Sequence, residues 1–323
     1  MIAELIVGGL LVVGVSAGIS TVVKNRRPKL AKENIPARLG ILDRVPIQPL
    51  LDQLNASLDD AYIQQVKIRF LEENPKQTED DFEWRMFELR RYFLLANILK
   101  TTPMFSEKVD EVWHDMLLFT QKYQVFSEKF FGTMLHHTPN TSPEPAPQER
   151  AFFDWIFSQL FQITQFSWKT WGSFFKHPLD FQLLKEFKDG ADDFLIDKYF
   201  KVNVDNKETI EYLVAQMKRQ LGEIEGMYQV DKKGRFTKQR IFGEMSTLSL
   251  VMVFLSYYYF DEYWSYAKAY AFANTVQYTS GCAAVFCGSA SSDHSSDCGG
   301  GDSVSSSCSS SSSCSSCGGG CSS

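Results

Sequence analysis

Residues 78–99 read TEDDFEWRMFELRRYFLLANIL, and this stretch decides the fold class. Thr78 stands three residues before Asp81, a spacing that predicts a capping box at the amino end of a helix. Pro103 follows the stretch, and proline rarely continues a helix. We therefore predict one helix between these two signals. Its apolar side chains form one face at helical spacing, namely Phe82, Met86, Leu89, Phe93 and Ile98.

Similar patterns lie on both sides of this helix. Residues 50–73 carry apolar side chains at helical spacing and predict one helix, which a following Asn-Pro pair ends. Residues 106–137 form another long helical segment, and residues 208–227 a further amphipathic one. No convincing run alternates apolar and polar residues as a strand does. The sequence therefore predicts a mainly α-helical body.

Two apolar segments of the body each allow two interpretations. Residues 151–175 are dense in Phe and Trp, which is typical of a core helix or of a helix lying at a membrane interface. Residues 245–260 read MSTLSLVMVFLSYYYF and carry no charge. Basic residues precede this segment and acidic residues follow it. It is therefore either a buried core helix or a second, rather short, membrane span.

The amino-terminal segment predicts a membrane anchor. Residues 2–23 read IAELIVGGLLVVGVSAGISTVV, long enough for a helix to cross a bilayer. Lys24, Arg26, Arg27 and Lys29 follow it, so the positive-inside rule places the body in the cytoplasm. A cleaved signal peptide and a buried helix are the alternatives. We expect a cell-membrane protein that contacts lipid through residues 2–23, with one span, or two if residues 245–260 also cross.

The carboxy-terminal segment has a different composition from the body. All seven cysteines lie at or after Cys282, and residues 280–323 are almost entirely Ser, Gly and Cys. Such a segment buries too little apolar surface to offset its ordering entropy, so we expect a disordered tail. Its thiols stay reduced in a cytoplasmic setting, and opportunistic metal binding or lipidation are alternatives. The predicted organisation is an anchor at 1–24, a basic Pro-rich extended linker at 25–49, an α-helical domain at 50–140, an aromatic-rich α-helical region at 148–275 and the tail at 280–323.

Charge and missing motifs exclude several functions. Lys+Arg is 33 and Asp+Glu is 39, and this net charge of −6 lacks the basic footprint of a nucleic-acid binder, so no nucleic acid is expected as a partner. There is no P-loop, dinucleotide-binding glycine motif, nucleophile elbow or HExxH motif. The chain has no cysteine before residue 282, so the sequence argues against cysteine-based catalysis in the helical body.

The most informative motif is VDEVWHDMLLFTQKYQVFSEKFFGTMLHHTP at residues 109–139. Asp110 and His114 are four residues apart and therefore share one side of a helix. His136 and His137 close the segment and would approach the pair if the chain folded back. Carboxylate and imidazole are ligands for a divalent transition metal such as zinc or iron. A structural polar cluster and acid–base catalysis are the alternatives for these four residues.

This motif resembles the signature of the glycine-rich domain-containing protein-like family over about residues 85–140. The matching order is Asp-x-x-Trp-His, Leu-x-x-Thr-x-x-Tyr, Phe-Gly and His-His-x-Pro. The resemblance implies structural roles for Trp113, Tyr123, Gly132 and Pro139. The chain departs from the family pattern at Met116, where a second His often stands. The Gly-rich carboxy-terminal end also fits this family.

Three functional hypotheses follow from the sequence. The first is a membrane-anchored, non-enzymatic binding or scaffold protein whose helical body contacts protein partners. The second is a metal-dependent enzyme that uses the Asp/His cluster. The third is a metal or redox sensor that acts through the cysteine-rich tail.

Overall fold

The computed structural model describes residues 30–137, 146–230 and 245–265, and these residues are mainly α-helical. Within these three ranges there is no β-strand, and two isolated β-bridges are present. Short 3-10 turns lie at Lys32–Asn34 and Ala37–Gly40. The α-helices are α1 (Gln48–Ser57), α2 (Asp60–Glu73), α3 (Glu79–Ile98), α4 (Glu107–Leu118), α5 (Thr120–Phe131), α6 (Pro147–Leu160), α7 (Gln165–Trp171), α8 (Phe181–Asp189), α9 (Asp192–Tyr199), α10 (Lys207–Val230) and α11 (Met245–Tyr258).

Several predictions concern residues outside these ranges. The anchor at residues 1–24, with its lipid contact through residues 2–23, lies outside the described part of the chain. So do Pro139 and the tail at residues 280–323.

Helix α3 is the central helix of the body. The Thr78 hydroxyl accepts a hydrogen bond from the Asp81 amide, and the Asp81 carboxylate accepts one from the Thr78 amide, so the predicted capping box is confirmed. Of the 20 residues of α3, 15 are buried. A helix that is buried on nearly all sides must be surrounded by other elements, and α3 contacts the amino-terminal turns and helices α1, α2, α4 and α7.

The prediction of one helix over residues 50–73 is wrong, because the chain forms two helices there. Helix α1 ends at Ser57, and the Asp59 side chain accepts a hydrogen bond from the Ala61 amide at the start of α2. An Asp in this position satisfies a free amide at a helix start, so it favours a new helix over continuation. The apolar periodicity continues across the break and therefore does not reveal it.

Residues 30–47 are packed onto the body, although the sequence predicted an extended linker over 25–49. Leu39, Ile41, Val45 and Ile47 are buried. Two backbone hydrogen bonds, from Leu42 N to Leu160 O and from Gln162 N to Gly40 O, tie this segment to the end of α6. Proline disfavours a long helix here, but the aliphatic side chains of this segment still enter the core.

The aromatic segment at residues 151–175 is part of the core, which supports the first of its two interpretations. Phe153, Trp155 and Phe157 on α6 are at most 2% exposed. The Trp155 indole donates a hydrogen bond to the Gln220 side chain on α10 at 2.7 Å. Both the apolar ring and the polar N–H of this tryptophan therefore have partners inside the protein.

Helix α11, within residues 245–260, packs into the same core. Residues 251–255 are at most 3% exposed. The Ser249 hydroxyl accepts hydrogen bonds from Ser158 and Gln159 on α6. In the part of the chain that the structure describes, no helix has the length and apolar character needed to cross a membrane.

Candidate metal centre

Helix α4 carries the first two candidate ligands. Ser106 caps its amino end by accepting a hydrogen bond from the Val109 amide, and it donates one to the Thr170 carbonyl. One face of α4 is buried, and this face includes Trp113. Asp110 and His114 lie next to this face, with side chains 25% and 52% exposed. The helix therefore presents both side chains on one side at the edge of the core.

A helix break at Phe119 turns the chain back toward these two residues. The sequence predicted one long helical segment over 106–137, but α4 ends at Leu118 and α5 begins at Thr120. The Phe119 ring packs edge-on against Tyr62 of α2, with ring centroids 6.1 Å apart. Gly132 ends α5 with a φ of 74°, a left-handed conformation that glycine adopts without strain.

Three hydrogen bonds hold the segment that follows Gly132. The Ser127 hydroxyl donates to the Thr133 carbonyl at 2.9 Å and accepts from the Leu135 amide. The Tyr123 hydroxyl donates to the Leu135 carbonyl at 2.8 Å. These bonds tie both backbone groups of Leu135 to α5, two residues before His137.

Trp113 links this arrangement to α4. Its indole N–H donates to the Tyr123 hydroxyl at 3.0 Å. Burial raises the pKa of Tyr123 to about 12, although the Trp113 hydrogen bond opposes the rise. Tyr123 is therefore protonated at neutral pH and able to donate to the Leu135 carbonyl.

The backbone path brings His137 to the Asp110/His114 pair. The His137 Nε2 atom lies 2.7 Å from one Asp110 carboxylate oxygen, and the His114 Nε2 atom lies 3.5 Å from the other. The two imidazole rings are 4.5 Å apart between centroids. One ligand atom from each of these three residues lies within 4.8 Å of the other two. We call these three residues the Asp/His cluster.

The environment of the cluster is asymmetric. The His137 side chain is 8% exposed and meets the Trp113 ring edge-on at 4.5 Å, whereas His114 is largely exposed. Within the described ranges, the ion pairs of Asp110 are with these two imidazoles, and no Lys or Arg side chain lies within 4 Å of it. Burial raises the pKa of the Tyr92 hydroxyl, and the nearby Asp110 carboxylate raises it further. This hydroxyl donates a hydrogen bond to the Thr102 carbonyl rather than to Asp110.

Three of the four predicted ligands therefore lie close together, and the fourth does not. Asp110, His114 and His137 come together, while His136 is exposed and is not one of the clustered residues. Trp113, Tyr123 and Gly132, named from the family resemblance, lie directly behind the cluster or at the turn that forms it.

Sequence reasoning missed the roles of Ser127 and Phe119. Ser127 is 0% exposed among apolar neighbours on α5, and a buried serine on an apolar face is a signal that its hydroxyl has a structural partner. Phe119 has no local signal, because an aromatic residue at that spacing equally fits a continuous helix.

The cluster has the donor types of a metal centre. Two imidazole nitrogens and one carboxylate oxygen form a common ligand set for zinc and for non-haem iron. Ligand atoms around a tetrahedral zinc ion are roughly 3.3 Å apart, given bond lengths of about 2.0–2.1 Å. The two Asp110–His distances, 2.7 and 3.5 Å to different carboxylate oxygens, bracket this value, and the three ligand atoms lie within 4.8 Å of one another, so side-chain adjustment would admit an ion. Without an ion, the His137 and Asp110 side chains form a hydrogen bond at 2.7 Å.

A cavity of about 300 Å³ lies elsewhere in the body. It is lined by the α3–α4 connection, by α6 and by the end of α9, and Thr102, Phe153 and Tyr199 are among its residues. No residue of the Asp/His cluster lines it.

Comparisons with known proteins show one similarity. The family model described as UCP032817-like matches residues 53–158, about a third of the chain. The match runs from within α1 to within α6 and contains the whole Asp/His cluster. No curated protein and no solved structure matches the chain. The resemblance to the glycine-rich domain-containing protein-like family stays a prediction.

Proposed function

We propose that this protein binds one divalent transition-metal ion, zinc or iron, through Asp110, His114 and His137. The observation that carries the proposal is that two residues on α4 and one on the returning segment place three suitable ligand atoms within 4.8 Å of one another. The ligands come from two parts of the chain, 27 residues apart, that a helix break and a glycine turn bring together.

The local charge supports a cation at this position. Asp110 is three-quarters buried, and its carboxylate faces imidazoles rather than a Lys or Arg side chain in the described structure. A buried carboxylate needs a partner charge or several donors. A metal ion bound by the Asp/His cluster would supply that charge.

The surrounding residues support a rigid site on one side. The Trp113 ring packs against His137, and the Tyr123 and Ser127 hydroxyls hold the backbone at Leu135. Such outer contacts orient metal ligands and raise affinity. His114, on the other side, faces solvent, so the remaining coordination positions are open to water or to another ligand.

The function that we propose is metal-dependent binding of a partner by a membrane-anchored helical body. The support for the anchor is the apolar segment at residues 2–23 with its basic flank. The support for a binding role is the ligand set itself, because three residues of the body come together as a site for an ion.

The test is metal stoichiometry on the full chain. All seven cysteines lie in the tail, so alkylation with iodoacetamide removes their thiolates without touching the body. The alkylated protein is dialysed against buffered zinc, and bound metal is measured by mass spectrometry. We expect one ion per chain in the wild type and in His136→Ala, and its loss in Asp110→Asn and His137→Ala. A wild type without bound metal, or a His137→Ala variant with unchanged content and affinity, would overturn the proposal.

A further inference from the structure

We propose that a second copy of this chain completes the metal centre by contributing its His136, so that the metal ion links two copies. This inference rests on the proposed function, because it assigns a partner to the same site. His136 of the second copy would fill the coordination position that the Asp/His cluster leaves open.

The ligand count is the first argument. The cluster supplies three ligands, whereas non-catalytic zinc sites are almost always four-coordinate. His114 is the most exposed of the three ligands, with a side chain that is 52% exposed, compared with 25% for Asp110 and 8% for His137. A ligand that approaches from outside the protein therefore meets the ion from the side of His114.

The position of His136 is the second argument. It is exposed, and it directly precedes His137, which is one of the three clustered ligands. The preceding residue, Leu135, is held to α5 because its carbonyl accepts a hydrogen bond from Tyr123 and its amide donates one to Ser127. His136 is therefore a histidine that its own chain presents to solvent at the edge of the metal centre.

The surface around His114 is the third argument. Leu118 is four residues after His114 on α4, so the two side chains lie on the same side of the helix. Leu118 is 59% exposed. An exposed apolar side chain beside an open metal position gains from being covered by a partner.

Two-fold symmetry makes the arrangement self-consistent. In a two-fold dimer the same surface lies on both sides of the interface, and each contact occurs twice. His136 of each copy then binds the ion held by the other copy. The assembly holds two metal ions per dimer, one for each chain, and it dissociates when the metal is removed.

The test measures mass and metal content on the same samples. The full chain, alkylated as above, is kept in mild detergent so that residues 2–23 remain dispersed. Light scattering with the detergent contribution subtracted gives the protein mass with stoichiometric zinc and with EDTA. We expect zinc to double the mass of the wild type. In zinc, His136→Ala should keep the mass of a single chain and bind its ion more weakly than the wild type does, because the fourth ligand is missing. His114→Ala should also lose the zinc-induced doubling.

Each outcome distinguishes this inference from the proposed function. A wild type that binds one ion per chain but has the same mass in zinc and in EDTA overturns the second-copy proposal and leaves metal binding intact, with water as the fourth ligand. A His136→Ala variant that doubles in mass as the wild type does also overturns it. If the alkylated wild type binds no metal, both proposals fail, and the metal count reports this directly.

Discussion

Replacing Arg91 with methionine removes the cation from a fully buried ion pair in the centre of the body. The Arg91 and Glu88 side chains are both 0% exposed and lie 3.4 Å apart on α3. Arg91 also donates to the Leu39 carbonyl at 2.7 Å and to the Ser167 hydroxyl at 3.2 Å. Glu88 accepts from the Trp171 indole at 2.8 Å. The pair therefore joins α3 to the amino-terminal turn and to α7.

The expected loss follows from this burial. Removal of one partner from a buried ion pair typically costs about 3–5 kcal/mol, because the other charge is left without compensation. Burial already lowers the pKa of Arg91, and Glu88 opposes this fall, so the two side chains depend on each other. Methionine keeps most of the apolar stem, which limits the cavity. We expect the free energy of unfolding to fall by about 3–5 kcal/mol, a large part of the roughly 5–15 kcal/mol of a typical domain.

The assay is urea unfolding of the full chain, followed by the helical circular dichroism signal. Arg90→Met is the matched control, because Arg90 is the preceding residue, is partly rather than fully buried, and makes one side-chain hydrogen bond, to Asn55. We expect this control to lose less than about 1 kcal/mol. The double variant Glu88→Gln/Arg91→Met should lose at least about 1 kcal/mol less than the sum of the two single variants, because it removes both charges together.

Two results would refute this reasoning. One is an Arg91→Met variant no less stable than Arg90→Met. The other is a double variant whose loss equals the sum of the single losses, since independent side chains give additive effects.

Three further predictions concern other elements. Burial, opposed by neighbouring donors, raises the pKa of Asp154 to about 6, above that of the unfolded chain. The folded state therefore holds a proton that the unfolded state has lost, and the free energy of unfolding falls by about 3 kcal/mol as pH rises from about 4 to 6. Asp154→Asn should flatten this part of the profile of urea midpoint against pH, and an unchanged slope would contradict the prediction. Tyr123→Phe leaves the Trp113 N–H and the Leu135 carbonyl without their hydrogen-bond partner. We expect the free energy of unfolding in urea to fall by about 1–3 kcal/mol and zinc binding, measured by calorimetry, to weaken roughly tenfold. Wild-type values of both quantities would show that the hydroxyl has no positioning role. Thr78→Ala should lower unfolding stability by about 1 kcal/mol while Thr78→Ser does not, and equal losses in the two variants would count against capping.

Local sequence signals predicted the parts of the fold that depend on neighbours along the chain. The Thr78 cap and the long helix behind it follow from spacing, because a side chain three residues away reaches the free amide at a helix start. Residues 30–47 show the limit of such signals. Their prolines predict an extended path, but nothing local shows that Ile47 is 0% exposed, since its burial depends on distant helices.

The sequence likewise predicted only part of the candidate site. The sequence by itself determined that Asp110 and His114 lie on one side of a helix, because the helical repeat places residues four apart next to each other. Only the tertiary structure decided that His137, and not His136, joins them. The break at Phe119, the left-handed turn at Gly132 and the hydrogen bonds on Leu135 set the direction of the returning chain. These contacts join residues that lie on different elements, so their effect depends on three-dimensional packing rather than on spacing along the chain.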